Sequence, residues 1–162
     1  MKIGIYNNKS YRLAITKEKK LFLMHRDMEN GFEHVPDYYN YKDELITNLY
    51  QKEITENDLE DAYALKYEAV YKGVRFEAFQ VEDLFNKGKM QIWTENDDIA
   101  EKYDFERMDM YWYYKFIEEK DIEELVEIRE PIFKFKDTKK VTKQVIPKDK
   151  ILQYSEYIAS FA

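Results

Sequence analysis

The 162-residue sequence contains no cysteine, which excludes several classes of site. Without a thiol there is no disulfide, no thiolate zinc site and no cysteine nucleophile. The chain also has only four glycines and two histidines, and no Gly-rich phosphate-binding loop is present. We therefore expect a cytoplasmic protein that holds no metal and no cofactor.

Long apolar runs are missing as well. The N-terminal residues MKIGIYNN lack the apolar stretch of a signal peptide. No run approaches the roughly 18 apolar residues that a membrane-spanning helix requires. We expect neither a secretion signal nor contact with a membrane.

Groups for catalysis are few. Nucleophilic catalysis needs a nucleophile, a base and an orienting group, and the serines number only three, Ser10, Ser155 and Ser160. The two histidines, His25 and His34, fall in or beside predicted strands. We predict that the chain is not an enzyme. A carboxylate-dependent hydrolase stays an alternative because of acid pairs such as Asp97-Asp98, although carboxylates at a helix start also offset the helix dipole.

The composition is rich in aromatic side chains and in acid. Aromatic residues make up 17% of the chain, with 15 tyrosines, and the net charge is −7. The segment 134–150 holds seven lysines and two aspartates, so the rest of the chain is more acidic than the whole. An acidic body attracts basic partners and repels nucleic acid. A second reading is that surplus acid keeps the protein soluble.

The start of the chain and its middle share a pattern. Residues 5–14, IYNNKSYRLA, align without a gap with residues 70–79, VYKGVRFEAF. Each reads as two strands joined by a tight turn, at Asn7-Asn8 and at Lys72-Gly73. Asn and Gly tolerate the positive φ that a two-residue hairpin turn demands. The pattern indicates an internal duplication.

The ends of the two copies also match, at a constant offset of 63 residues. The spacing predicts a short helix in each copy, with inward side chains at Leu59, Ala62 and Tyr63 and at Ile122, Leu125 and Val126. The residues Thr55-Glu56-Asn57-Asp58 have the form of a capping box that opens the first of these helices. A second capping box is predicted at Thr94-Glu95-Asn96-Asp97.

We predict a β-rich α+β fold made by tandem duplication of a small antiparallel β unit with short helices, compatible with SH3-like barrels. The first unit spans 1–69, the second 70–135, and 136–162 forms a basic connection and a C-terminal helix, all in one compact globule. The apolar stripe Ile151, Tyr154, Ile158 and Phe161 predicts that this amphipathic helix docks on a sheet.

Three segments are candidates for binding a partner protein, because tyrosine and tryptophan on an acidic surface are typical of interface hot spots. One is the insertion of the first copy, with helical spacing in part of 36–48, another is the acidic turn of the second copy, and the third is an aromatic run entering a strand. Trp112 in that run is either an exposed anchor or part of a core covered on both faces. The candidate residues are Asp37, Tyr38, Tyr39, Tyr41, Asp43 and Glu44; Asp97, Asp98 and Glu101; and Asp109, Tyr111 and Trp112.

The second copy resembles small immunity proteins of polymorphic toxin systems, especially those of Gram-positive bacteria. The residues that carry the resemblance are Tyr71-Lys72-Gly73-Val74-Arg75-Phe76, Thr94 with Asp97 and Asp98, Phe105-Glu106, and Ile122 to Pro131. The resemblance implies stoichiometric neutralisation of a cognate toxin domain, usually by covering its active site. An acidic nucleic-acid mimic of a phage or mobile element is the alternative, and it rests on the charge alone.

Overall fold

The computed structural model of the protein describes residues 1–40 and 43–161. Within these ranges the chain forms fourteen strands, three α-helices and four 3-10 turns. The strands are β1 Lys2–Tyr6, β2 Lys9–Ile15, β3 Leu21–His25, β4 Glu33–Val35, β5 Tyr38–Tyr39, β6 Leu45–Ile46, β7 Leu49–Ile54, β8 Asp61–Tyr71, β9 Val74–Phe79, β10 Met90–Thr94, β11 Glu106–Arg107, β12 Tyr113–Ile117, β13 Glu124–Pro131 and β14 Thr142–Ile146. The helices are α1 Asp83–Lys87, α2 Asp97–Lys102 and α3 Ile151–Ala159, and the 3-10 turns are Glu56–Asp58, Glu119–Asp121, Phe133–Asp137 and Lys148–Lys150.

Twelve of the described strands form one antiparallel sheet. Its order is β11-β12-β10-β9-β8-β1-β2-β3-β7-β4, with β13 pairing β8 and β14 pairing β13. Strands β5 and β6 form a separate two-stranded sheet. The prediction of a β-rich antiparallel α+β fold with short helices and a C-terminal helix is confirmed.

The chain divides into two compact units. Among the described residues, unit 1 comprises 1–40, 43–65, 130–140 and 161, and unit 2 comprises 66–129 and 141–160. The predicted boundaries after residues 69 and 135 stay predictions.

Unit 1 is built on the hairpin β1–β2. Its turn residues, Asn7 and Asn8, have φ of 49° and 59°, as expected of a primed turn. Alternation along the strands sends every second side chain inward. The core of buried side chains consists of Tyr11, Leu13, Leu21, Leu23, Ile54, Leu59, Ala62, Ile132 and Phe135.

Unit 2 is built on the hairpin β8–β9, with Lys72 and Gly73 at φ of 49° and 75°. The side chains buried on the inner face of its sheet are Phe76, Ala78, Met90, Ile92 and Ile117. Helix α3 packs against α1, a helix that the sequence analysis did not predict. The buried Ser155 hydroxyl joins them, because it donates to Val81 O at 2.6 Å and accepts from Phe85 N at 2.9 Å.

The corresponding strands of the two units pair in the same register. In unit 1, Arg12 lies opposite Met24 and Met24 lies opposite Gln51. In unit 2, Glu77, Trp93 and Tyr114 take the same three places.

A carboxylate closes the first hairpin of each unit in the same way. Glu60 accepts from Asn8 N at 3.1 Å, and Glu123 accepts from Gly73 N at 3.1 Å. The backbone N–H groups of Glu60 and Glu123 donate to Ile5 O and Val70 O. The two turns are therefore held by matched bonds.

These turn bonds give a paired prediction. We expect Glu60→Ala and Glu123→Ala each to lower the free energy of unfolding by roughly 0.5–1.5 kcal/mol, because each leaves a turn N–H without its acceptor. Urea unfolding measures the loss, and Glu95→Ala, at an exposed residue outside both hairpins, is the control. An unchanged midpoint in both hairpin variants would show that the carboxylates add nothing to the turns.

Two of the predicted local structures are wrong in form. The helix predicted to open at Thr55 and reach Tyr63 and the helix predicted at Lys120–Val126 form only the 3-10 turns Glu56–Asp58 and Glu119–Asp121. Strands β8 and β13 begin two residues further on, at Asp61 and Glu124. All six predicted inward side chains are nevertheless buried. Strands buried on both faces place neighbouring apolar residues inside, which imitates helical spacing.

The capping boxes differ in outcome. The first is confirmed, because Thr55 N and Oγ1 donate to the Asp58 carboxylate at 2.7 and 2.8 Å. The second is wrong, because α2 begins two residues later and Asn96 is its N-cap. The Asn96 side chain accepts from Ile99 N at 2.9 Å.

A buried polar network fixes α3 in unit 2. Glu127 is buried on β13, and both the Tyr154 hydroxyl and the Arg129 guanidinium donate to its carboxylate. The Tyr154 and Tyr67 hydroxyls lie 3.2 Å apart. The pKa of Tyr154 is raised above its usual range, chiefly by burial and then by the neighbouring Tyr67 and the hydrogen bond to Glu127.

This raised pKa predicts a loss of stability in alkali. An unfolded tyrosine loses its proton near pH 10, whereas folded Tyr154 keeps it to higher pH. Above about pH 10 the unfolded state therefore binds fewer protons, and stability falls as pH rises. We expect Tyr154→Phe to flatten this fall in urea unfolding between pH 9 and 11.5. Equal slopes in the wild type and in Tyr154→Phe would contradict the role of Tyr154.

Candidate protein-binding face

The outer face of the unit 2 sheet carries a group of aromatic side chains. Side chains alternate along β9, β10 and β12, so the positions between the buried ones point outward. Trp112 directly precedes β12 and shares its outward alternation. The residues that we term the aromatic face are Phe79, Trp93, Trp112, Tyr114 and Phe116.

These rings contact one another without being covered. The Phe79 and Trp93 centroids lie 4.5 Å apart, and Trp112 meets Trp93 edge-on at 5.5 Å. Tyr114 and Phe116 meet edge-on at 5.7 Å. Phe79 and Phe116 are 36% and 41% exposed, and the other three rings are half-buried. The rings meet at tilted and edge-on angles and leave part of their apolar surface open to solvent.

Carboxylates lie at both sides of these rings. Across the ladder, Glu77 lies opposite Trp93, Trp93 opposite Tyr114, and Tyr114 opposite Glu106. The Tyr114 hydroxyl donates to Glu106 at 2.6 Å, and this bond raises the pKa of Tyr114. The Lys89 ammonium lies 4.6 Å from the Phe116 ring centroid. The face is therefore apolar at its centre and acidic at two sides.

The loop between β11 and β12 borders the aromatic face. The Asp109 carboxylate accepts from the N–H groups of Tyr111 and Trp112, at 3.0 and 3.2 Å. The Arg107 guanidinium donates to the carbonyls of Asp109 and Met110, at 2.9 and 3.0 Å. The loop is thus shaped by its own bonds and leaves Met110 and Tyr111 exposed by 67% and 68%. Of the three predicted residues here, Trp112 joins the face, Tyr111 lies beside it and Asp109 shapes the loop.

The predicted acidic residues of α2 lie apart from the aromatic face. Asp97, Asp98 and Glu101 are exposed on this helix. A hydrogen bond from the Tyr113 hydroxyl to Asp97 raises the pKa of Tyr113. Tyr113 alternates with Trp112 and Tyr114 along the strand and therefore points to the opposite side of the sheet. The structure does not bring these carboxylates to the rings.

The predicted insertion belongs to unit 1, where Tyr38–Tyr39 and Leu45–Ile46 pair as the antiparallel strands β5 and β6, so the helix predicted there is wrong. Tyr38 and Tyr39 in β5 are 46% and 67% exposed, and Asp37 and Asp43 are exposed. Asn40 accepts from Glu44 N at 3.0 Å and donates to its carboxylate at 2.8 Å, which favours a turn over a helix. Tyr41 lies outside the described residues.

One family model matches residues 2–134, and its description reads "Uncharacterised conserved protein UCP033725". The chain belongs to this family. No curated protein and no solved structure matches the chain. The matched range contains every residue of the aromatic face.

The residues of unit 1 at the positions equivalent to the aromatic face show whether the fold requires aromatic rings there. The outward positions equivalent by register to Phe79, Trp93, Tyr114 and Phe116 hold Ala14, Met24, Gln51 and Glu53. A surface depression of about 450 Å³ lies there, lined by Phe22, Gly31, Glu33, Gln51, Lys52 and Glu53. A sheet of the same register thus forms with largely non-aromatic residues at these places. The fold by itself does not require the aromatic face.

Sequence reasoning found Trp112 but missed Phe79, Trp93 and Phe116 as surface residues. A signal was present, because Ile92 and Trp93 are neighbours in one strand and therefore point to opposite faces of the sheet. No cluster of three or more metal-binding side chains lies in residues 1–40 and 43–161. Among the described helices, none is long and apolar enough to cross a membrane.

Proposed function

We propose that this protein is an immunity protein that neutralises a cognate antibacterial toxin by stoichiometric protein–protein binding. The observation that carries the proposal is the open aromatic face of unit 2 with carboxylates at its sides. Exposed contiguous apolar surface of this kind marks interaction sites in soluble proteins. Tryptophan and tyrosine supply much of the energy at such sites.

The proposal also draws on the tandem duplication. We propose that the two units arose from one ancestral β unit, as the matched registers and the matched turn bonds of Glu60 and Glu123 support. One copy then became free to vary where packing makes no demand. The SH3-like comparison for each unit stays a prediction.

The charges at the sides of the face favour a basic partner over a second copy of the chain. In a two-fold dimer the same patch meets itself. Glu77 and Glu106 would then lie among like charges, in a chain whose net charge is already −7. A basic protein instead gains attraction during approach and at contact. A toxin with a positively charged cleft fits this requirement.

Co-expression tests the proposed function. Each gene adjacent to this one is expressed alone in a bacterial host, and its product is scored for growth arrest. We expect one neighbour to arrest growth and the present protein to restore it, with a 1:1 complex on size-exclusion chromatography. If no neighbouring product arrests growth and is rescued, the proposed function is wrong.

A further inference from the structure

One row of the unit 2 sheet places two rings between two carboxylates. Strand pairing sets Glu77, Trp93, Tyr114 and Glu106 side by side on β9, β10, β12 and β11. We term these four residues the anchor row. Neighbouring strands lie about 4.8 Å apart, so each ring is one strand away from a carboxylate.

Two features of the anchor row suit a cation. Aromatic faces attract ammonium and guanidinium groups within about 6 Å of the ring centroid. The flanking carboxylates have no cationic partner among the described residues, since Tyr114 donates a neutral hydroxyl to Glu106. The row is therefore negative in charge and lined by π surfaces.

The chain already places a cation on the adjacent ring. Lys89 holds its ammonium 4.6 Å from the centroid of Phe116, and within the described ranges it makes no salt bridge. Phe116 is edge-on to Tyr114 at 5.7 Å and shares its strand face. A cation on these rings is thus compatible with the geometry of the folded chain.

We propose that the partner protein places an arginine or lysine side chain on the anchor row, with the cation over Trp93 or Tyr114 and against Glu77 or Glu106. This inference rests on the proposed function and names the chemistry of the contact. The partner's cation pairs with the carboxylate beside it and packs over the face of the adjacent ring. Lys89 opposes it through like charge.

Tryptophan fluorescence tests the anchor row without the toxin. The chain contains two tryptophans, Trp93 and Trp112, and both lie on the aromatic face. A tetra-arginine peptide is titrated into the full protein, with tetra-glutamate as the negative control. We expect the emission to change with tetra-arginine only.

The variants make the test specific. Glu77→Gln and Glu106→Gln are each expected to raise the half-saturating tetra-arginine concentration about threefold, since each removes one exposed carboxylate that pairs with the cation. Lys89→Met should lower that concentration, because it removes a like charge. Glu156→Gln, at an exposed position on α3, makes the same charge change away from the face and should have no effect.

Three results overturn the inference. The first is no response to tetra-arginine, and the second is an equal response in the wild type and in both glutamine variants. The third is a change in emission when the protein alone is concentrated, together with dimers in sedimentation, because it would show that a second copy occupies the face. Each leaves the co-expression test of the proposed function intact. If tetra-arginine binds specifically but no neighbouring product is rescued in the co-expression test, the partner is a basic protein other than a toxin.

Discussion

Trp112→Ala is expected to weaken binding of the proposed toxin partner by about 2 kcal/mol or more, roughly a thirtyfold rise in Kd, while the chain stays folded. Trp112 is half-buried and meets Trp93 edge-on at 5.5 Å. Its removal leaves the inner core of Met90 and Ile92 intact. Calorimetric titration gives the change in Kd, and a thermal melt shows whether the fold survives.

The comparison variant for Trp112→Ala is Tyr39→Ala in strand β5 of unit 1, where the ring is 67% exposed. It removes a solvent-exposed aromatic ring from another of the three predicted binding segments. We expect this variant to bind as the wild type does. A large loss with Tyr39→Ala and none with Trp112→Ala would place the toxin on the insertion. A collapse of the melting temperature with Trp112→Ala would show that the ring belongs to the core.

Gly4 and Leu13 in unit 1 are expected to show strong coupling in stability. A Cβ added at Gly4 would lie 2.9 Å from Leu13 Cδ1 and 2.9 Å from Leu59 Cδ2, closer than side chains normally approach. Gly4→Ala should therefore lower the free energy of unfolding by about 1–3 kcal/mol through overpacking. Leu13→Ala should lower it by about 2–5 kcal/mol, because it leaves a cavity in the core.

The double variant Gly4→Ala/Leu13→Ala should lose less stability than the sum of the two single variants. The new methyl group occupies part of the space that Leu13 vacates, and its clash with Leu13 disappears. Unit 2 gives the precedent, since the equivalent positions by register are the buried alanines Ala69 and Ala78. A double-mutant cycle in urea measures the coupling. Strict additivity would contradict this account of the packing.

Much of the framework could be predicted from the sequence because it follows local rules. Asn7-Asn8 and Lys72-Gly73 have the turn chemistry of hairpins, and the turns are where they were predicted. The short helices after Thr55 and Glu118 could not be separated from strands, because Ala62 and Tyr63 are both buried in β8 and imitate helical spacing. Helix α1 was missed, since five residues without a Ser, Thr or Asn cap give little signal.

The candidate site depended on pairing between strands, which the sequence does not show. Trp112 was identified because it stands in a dense aromatic run. Phe79 and Phe116 lie 37 residues apart along the chain, and both lie opposite Gln91 of β10 in the ladder. Which ring faces solvent follows from the register, and the register is set by long-range packing. The acidic residues of α2 looked equally suitable, but strand alternation directs their contact, Tyr113, away from the face.

The central claim is that the aromatic face of unit 2 binds the toxin, and growth rescue by variants of that face tests it most directly. A host expressing the neighbouring gene whose product arrests growth receives the wild-type protein, Trp112→Ala, or a Trp93→Ala/Trp112→Ala double variant, at equal soluble levels. We expect the wild type to restore growth, the single variant to restore it partly and the double variant to fail. Full rescue by a folded double variant would contradict the claim that the aromatic face of unit 2 binds the toxin.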